Sequence, residues 1–201
     1  MLKLPISTHV NRVIPKNRFL QEANSKIKKE FGQIEKIIWQ NNLSPKTINI
    51  EADEKIEEIQ IFSIHLKEKL IPKNALSHIQ KLIPYPILFI LQYKDAFAYA
   101  IIYDKKLYFK EWNETIDIDF NSPNTQALMQ NIVKSFLSLK TNDFAKSLEL
   151  QKQIEALEKE IKHLASQIKK EKQFKYKVEL NKRLLECQRE LERLKNEFNA
   201  I

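Results

Sequence analysis

The chain contains very little glycine and very little cysteine. Gly32 is the one glycine among 201 residues. The loops that cradle phosphates in the usual nucleotide-hydrolysing and NAD-binding enzymes need several glycines, because only glycine lets the backbone approach a phosphate so closely. The sequence therefore excludes those enzyme classes. The one cysteine, Cys187, excludes an internal disulfide and a Cys-x-x-Cys metal site.

Long apolar runs are absent as well. No run reaches roughly 18 residues, the length that a membrane-spanning helix needs, and the start Met1–Pro5 does not begin a signal peptide. We therefore expect a cytoplasmic protein without membrane contacts. The sequence contains no complete catalytic signature, and it predicts neither a cofactor nor a metal.

The net charge of +8 is concentrated at the two ends of the chain. Residues 1–33 carry seven basic and two acidic side chains, and residues 126–201 carry sixteen and eleven, whereas the stretch between them is nearly neutral. Lysine and arginine attract phosphates without reading sequence. The N-terminal basic group is therefore a candidate contact for a partner or a nucleic acid, and it includes Arg12, Lys16 and Arg18.

Hydrophobic periodicity predicts an α+β domain over residues 1–123. The sheet is expected to be mixed or antiparallel with flanking helices, and the apolar run Ile87–Leu91 is typical of a central strand. A connecting helix is predicted in residues 124–140. The predicted order is α-β-β-β-α-β-β-β, with helices at Lys16–Phe31 (ended by Gly32) and Lys73–Leu82 and strands at Ile34–Trp39, Thr47–Ile50, Ile56–Lys67, Ile87–Tyr93, Phe97–Tyr103 and Leu107–Trp112.

Residues 141–201 show the clearest pattern in the sequence. Apolar residues recur at alternating steps of four and three from Leu150 to Ile168, and again from Leu180 to Phe198. The two seams are mirror images about Phe174, so a chain folded back there would place every apolar position opposite another. We predict an antiparallel coiled-coil helical hairpin. The alternative is one long helix that pairs in trans, which would make the protein a homo-oligomer.

The predicted tip of the hairpin, residues 171–177, is basic and aromatic. Seven basic side chains lie between Lys169 and Arg183, and two aromatic rings are interleaved among them. Rings at an exposed turn are uncommon unless something covers them. A protein partner, a nucleic acid and a plain solvated helix face are the three interpretations. The candidate binding residues at the tip are Lys169, Lys170, Lys172, Phe174, Lys175, Tyr176, Lys177, Lys182 and Arg183.

A nuclease site is the alternative hypothesis for the sheet domain. Nucleases of the PD-(D/E)xK class have an α-β-β-β-α-β core in which two carboxylates hold Mg²⁺ and a lysine positions the attacking water. At the end of the third predicted strand, His65 and Lys67 share a face. The second predicted strand has no carboxylate, so the site would be degenerate. The available acids are Glu51, Asp53 and Glu58.

Several segments resemble the start, middle and end of a bacterial family, domain of unknown function 4391. They are Leu4-Pro5-x-Ser7-Thr8-x-Val10 with Ile14-Pro15-Lys16, the segment Ile83–Leu91, and the segment Lys170–Phe174. The resemblance covers nearly the whole chain and implies no catalytic residues. Family members often have Glu where His65 stands here, which weakens the nuclease hypothesis.

The resemblance also implies a context. Genes of this family tend to lie beside DNA methyltransferases and superfamily-2 helicases in restriction-modification or phage-defence clusters. We therefore expect a non-enzymatic accessory subunit that contacts a helicase or methyltransferase through the basic hairpin tip. DNA is a second candidate partner of the tip. The alternatives are a degenerate Mg²⁺-dependent nuclease and a stand-alone nucleic-acid-binding protein.

Overall fold

The structure is a computed structural model that describes residues 2–199, with the side chains of residues 197–199 left out of the description. The chain forms two compact units, Met1–Phe136 and Leu137–Ile201. The first unit is an α+β sheet domain and the second is a helical hairpin, so the predicted fold class is confirmed.

The first unit is built on one six-stranded mixed sheet with the strand order β1-β2-β3-β4-β5-β6. Among the described strands of this sheet only β3 and β4 pair in parallel, and α3 connects them because parallel neighbours cannot be joined by a tight turn. The other neighbours are antiparallel. The elements are β1 (His9–Ile14), α1 (Ser25–Gln33), β2 (Ile34–Leu43), α2 (Pro45–Ile48), β3 (Ile59–Leu66), α3 (Lys73–Leu82), β4 (Ile87–Tyr93), β5 (Ala96–Tyr103), β6 (Lys106–Phe109) and α4 (Thr125–Lys134).

The core lies between one face of this sheet and the helices α1 and α3. Phe62 of β3 and Phe89 of β4 meet edge to face, and they pack in one cluster with Phe31 of α1 and Leu76 of α3. The residues Ile87–Leu91 are all buried. A strand that is buried on both faces reads as a continuous apolar run, so the prediction of a central strand here is confirmed.

The predicted first helix is wrong in its bounds. Residues Lys16–Phe19 form a separate 3₁₀ turn, and α1 begins only at Ser25, because the Asn24 side chain accepts a hydrogen bond from Ile27 N at 3.0 Å and caps the helix there. Gly32 does not end the helix either. It lies inside α1, and the chain passes directly into β2 after Gln33.

The predicted strand Thr47–Ile50 is also wrong. Its first residues belong to the short helix α2, which starts with Pro45 and a capping box between Ser44 and Thr47. Asn49 then takes a left-handed backbone conformation with φ of 54°, which interrupts any extended run. The strand β3 begins at Ile59, later than the predicted Ile56.

The strand β1 has no counterpart among the strands predicted from the sequence. This strand occupies an edge of the sheet and pairs with β2, so its stability comes from that pairing more than from its own pattern. A bulge at Asn11, with φ of 51°, breaks the simple alternation of its side chains.

The second unit consists of α5 (Phe144–Lys170) and α6 (Phe174–Asn199) packed as a hairpin. The seam positions are buried or half-buried, and Ile154, Leu164 and Leu194 are fully buried. Two ion pairs between described residues join the helices: Glu160 with Arg183 at 3.3 Å, and Glu158 with Lys195 at 3.8 Å. Both agree with a fold about residue 174. The last predicted seam residue, Phe198, lies outside the described side chains.

A carboxylate from α1 caps the start of α3. Pro72, which precedes α3, offers no side-chain cap. Instead Glu30 Oε2 accepts hydrogen bonds from the backbone N–H groups of Asn74 at 2.8 Å and Ala75 at 2.9 Å. A negative charge at a helix N-terminus satisfies free N–H groups and also interacts favourably with the helix dipole.

We predict that Glu30→Ala lowers the free energy of unfolding by about 1–3 kcal/mol, because two charge-assisted hydrogen bonds are lost. Glu30→Gln keeps one acceptor and should lose less. The measurement is urea unfolding followed by tryptophan fluorescence, since both tryptophans, Trp39 and Trp112, lie in the first unit. Glu22→Ala, at an exposed acid outside this cap, is the control; equal losses for Glu30→Ala and Glu22→Ala would contradict the capping role.

Candidate functional site

The tip of the hairpin is a three-residue connection, residues 171–173. Glu171 is extended, with φ of −71°, and its N–H still donates to Gln167 O at 2.9 Å. The Glu171 carboxylate turns back and accepts from Gln173 N at 2.7 Å, just before α6 begins. None of these residues has a positive φ. The chain therefore reverses without glycine or proline.

An apolar stripe runs along α6 from this tip. Phe174, Val178 and Leu185 are 82%, 51% and 52% exposed. Steps of four and seven residues place them on one face of the helix. The seam residues Leu180 and Leu184 lie on another face, against α5. We call Phe174, Val178 and Leu185 the tip stripe. Phe174 is one of the tip residues predicted from the sequence, whereas Val178 and Leu185 are not, although their helical spacing from Phe174 is visible in the sequence.

Lysines flank the tip stripe on both sides. By helical spacing, Lys175 and Lys182 lie along one side and Lys177 along the other. All three are exposed, and none forms an ion pair with a described residue. The surface therefore combines exposed apolar groups with exposed positively charged side chains.

The other predicted tip residues have different surroundings. Tyr176 lines an open groove of about 430 Å³ together with Leu180 and Arg183. The charge of Arg183 is compensated by Glu160 at 3.3 Å. Lys169 and Lys170 occupy the last turn of α5, where they favour the helix dipole, and Lys172 is exposed in the connection.

The N-terminal basic group lies in the first unit. Arg12 projects from β1 and Arg18 from the following 3₁₀ turn, and both are exposed. Lys16 differs from them, because its Nζ donates to Ile34 O at 2.5 Å and so is held by the fold.

The structure does not bring the predicted nuclease residues together. Glu58 precedes β3 and Lys67 follows it, and an eight-residue strand separates their ends by roughly 25–30 Å. The Glu58 carboxylate accepts hydrogen bonds from Gln60 Nε2 at 2.7 Å and Asn42 Nδ2 at 2.8 Å. It therefore cannot share a metal ion with His65 or Lys67.

The remaining acids lie in the segment between α2 and β3. The backbone of Glu51 forms a bridge with Asn124, and Asp53 N donates to Thr125 Oγ1 at 3.0 Å. Both acids are thus tied to the start of α4. Within residues 2–199 the structure contains no group of three or more His, Cys, Asp or Glu side chains that could hold a metal ion.

His65 lies in a partly buried polar setting on β3. Its Nε2 is 3.3 Å from Ser63 Oγ. Burial lowers the pKa of His65 below its usual 6.5, and the nearby Lys36 lowers the pKa further, against a smaller opposite effect of Glu35. The neutral imidazole is therefore the favoured form in the folded protein.

The fold defines a class of protein: a six-stranded mixed-sheet domain followed by a helical hairpin with a basic, apolar tip. The chain belongs to the family described as domain of unknown function DUF4391, whose model matches residues 2–191. The comparisons with curated proteins and with solved structures gave no match. Within residues 2–199, each helix is too short or too polar to cross a membrane.

The lowered pKa of His65 predicts a pH-dependent stability. The native state binds fewer protons than the unfolded state, so this contribution is fully present above pH 6.5 and is lost as the pH falls towards the folded pKa. We predict that lowering the pH from about 7.5 to about 5 reduces the free energy of unfolding less in His65→Gln than in the parent protein. The measurement is a urea titration of both proteins at each pH. An equal or larger loss in the variant would contradict this assignment.

Proposed function

We propose that this protein is a non-enzymatic interaction subunit of a bacterial DNA-processing complex, of the restriction-modification or phage-defence kind. The tip stripe of α6 and its flanking lysines form the contact. The observation that carries the proposal is the exposure of three apolar side chains on one helix face next to lysines without ionic partners. Exposed apolar clusters rimmed by polar groups mark interaction sites.

The chemistry of this surface indicates the chemistry of the partner. Val178 and Leu185 are aliphatic, so they suit an apolar protein groove better than the face of a nucleobase. The lysines on both sides favour an acidic rim around that groove. A second copy of the same surface is a poor occupant, because Lys175 and Lys182 would then meet lysines of the copy.

The identity of the partner is taken from the family context. We expect a superfamily-2 helicase or a DNA methyltransferase encoded beside this chain, with an acidic, partly apolar patch for the hairpin tip. Contact of the tip lysines with DNA would then accompany the protein contact.

The test is a binding measurement with the purified neighbouring helicase or methyltransferase. Phe174→Ala with Leu185→Ala should raise Kd at least about thirtyfold, because side chains at the centre of an interface typically cost about 2 kcal/mol or more when they are truncated. Folding should be largely kept, because both side chains are mainly exposed. Thermal unfolding of the variant is the check on that point.

The matched control removes two exposed apolar groups from the first unit. Ile6→Ala with Val13→Ala, at positions 84% and 52% exposed, should leave Kd within about twofold of the parent. Unchanged partner binding by the tip variant would contradict the proposal. Binding to DNA alone that falls steeply with salt, without partner binding, would instead support stand-alone nucleic-acid binding.

A further inference from the structure

An open pocket of about 500 Å³ lies in the first unit, on the side of the sheet that carries α3. It is formed where the β1 edge meets the chain that leaves α3. Two arginines, several rings and one buried amide line it. Its lining includes Arg12, Arg18, Trp39, Gln60, Phe62 and Tyr85.

The strand register puts the main contacts on one face. Arg12 of β1 is opposite Trp39 of β2, and Trp39 is opposite Phe62 of β3. Side chains directly opposite each other in neighbouring strands point to the same face. Trp39 Nε1 donates to Asn41 O at 3.0 Å, which fixes the indole ring. The pocket thus has a rigid aromatic floor.

The charge of the pocket is uncompensated. Arg12 and Arg18 form no ion pair with a described residue, and no acidic residue lines the pocket. Two other basic pockets differ in this respect: one contains Asp104, and the groove at the hairpin tip contains Glu171. Two guanidinium groups that line one pocket are suited to a phosphate, which a guanidinium group can bind through paired hydrogen bonds.

A buried amide adds a specific acceptor. Gln60 is 6% exposed, and its Nε2 donates to Glu58 Oε1 at 2.7 Å. Its amide oxygen meets no donor among the described residues. An amide oxygen that no described protein group uses is available to accept a hydrogen bond from a ligand N–H group.

We propose that this pocket binds a nucleoside phosphate, with the phosphate at Arg12 and Arg18 and the base against the half-buried rings of Trp39 and Tyr85. The volume lies within the usual range for small-molecule sites, about 300–1,000 Å³. Rings supply stacking and arginines supply the phosphate contact, so no glycine-rich loop is needed. The ligand is either a free nucleotide or the 5′-phosphorylated terminal nucleotide of a single strand. The proposal does not depend on the role of the hairpin tip.

A phosphotyrosine side chain also joins a ring to a phosphate. The Gln60 amide oxygen decides between the two ligands, because a base presents exocyclic or ring N–H groups and a phenyl ring presents none. Phenyl phosphate is therefore the discriminating probe.

The experiment uses the full chain with Trp112→Phe, which leaves Trp39 as its one tryptophan. Titration with deoxyadenosine monophosphate should quench the Trp39 fluorescence with saturation. Deoxyadenosine, inorganic phosphate and phenyl phosphate should each bind at least about tenfold more weakly than the nucleotide. Deoxyadenosine lacks the charge-assisted hydrogen bonds of the phosphate, inorganic phosphate lacks the ring contacts, and phenyl phosphate lacks the base N–H groups. Their binding is measured by competition with the nucleotide.

Arg12→Gln with Arg18→Gln should raise Kd at least about tenfold in the same background, since both phosphate contacts are lost. Both side chains are exposed, and far-ultraviolet circular dichroism confirms the fold of the variant. Lys28→Gln with Lys29→Gln removes the same charge from two exposed positions on α1 outside the pocket, and it should change Kd less than about twofold.

A 5′-phosphorylated tetranucleotide separates the two sources of the ligand. Tighter binding than the mononucleotide, lost when the 5′-phosphate is removed, identifies a strand end; equal or weaker binding identifies a free nucleotide.

The proposal is overturned by no quenching up to about millimolar nucleotide at low salt, by equal losses in the arginine and lysine variants, or by phenyl phosphate binding as tightly as the nucleotide. The hairpin-tip variant has its pocket intact, so this assay fails or succeeds independently of partner binding.

Discussion

The pairing of two apolar seams within one chain is the interaction on which the proposed role depends. Each leucine or isoleucine fully buried in such a seam contributes roughly 1.5–3 kcal/mol, whereas exposed ion pairs such as Glu158 with Lys195 contribute at most about 1 kcal/mol. The seam therefore supplies most of the stability of the hairpin, and the ion pairs show which parts of α5 and α6 are opposite each other. Because Leu180 and Leu184 are used in the seam, the tip stripe on another face of α6 has no partner within the hairpin.

The elements that could be predicted from the sequence are those with long or extreme patterns. The hairpin repeats its apolar spacing over many helical turns, and Ile87–Leu91 is apolar on both faces. Patterns this long or this apolar are unlike those of the loops and short elements around them. The short elements could not be predicted in the same way. Ile48 and Ile50 alternate as in a strand. A helix forms here instead, because a capping box between Ser44 and Thr47 and the proline Pro45 both stabilise a helix start. The edge strand β1 depends on pairing with β2, which no local pattern reveals.

The same distinction explains the sites. The tip residues are neighbours in sequence on one helix, so helical spacing is enough to group them. The pocket joins Arg12, Trp39 and Gln60 through strand register and through a bulge at Asn11, and these depend on tertiary pairing. The predicted nuclease set was also grouped by sequence. These residues are far apart in the structure, because Glu58 and Lys67 stand at opposite ends of the strand β3.

Cross-linking tests the folding of the hairpin most directly. Cys187 is the one cysteine of the chain and lies in the α6 seam, and Ile161 is its mirror position in the α5 seam. Ile161→Cys treated with a short bismaleimide at low protein concentration should give a cross-link within one chain, whereas Lys162→Cys, on the exposed side of α5, should react far less. Cross-linked dimers that increase with protein concentration, or equal yields from the two variants, would contradict a hairpin closed within one chain.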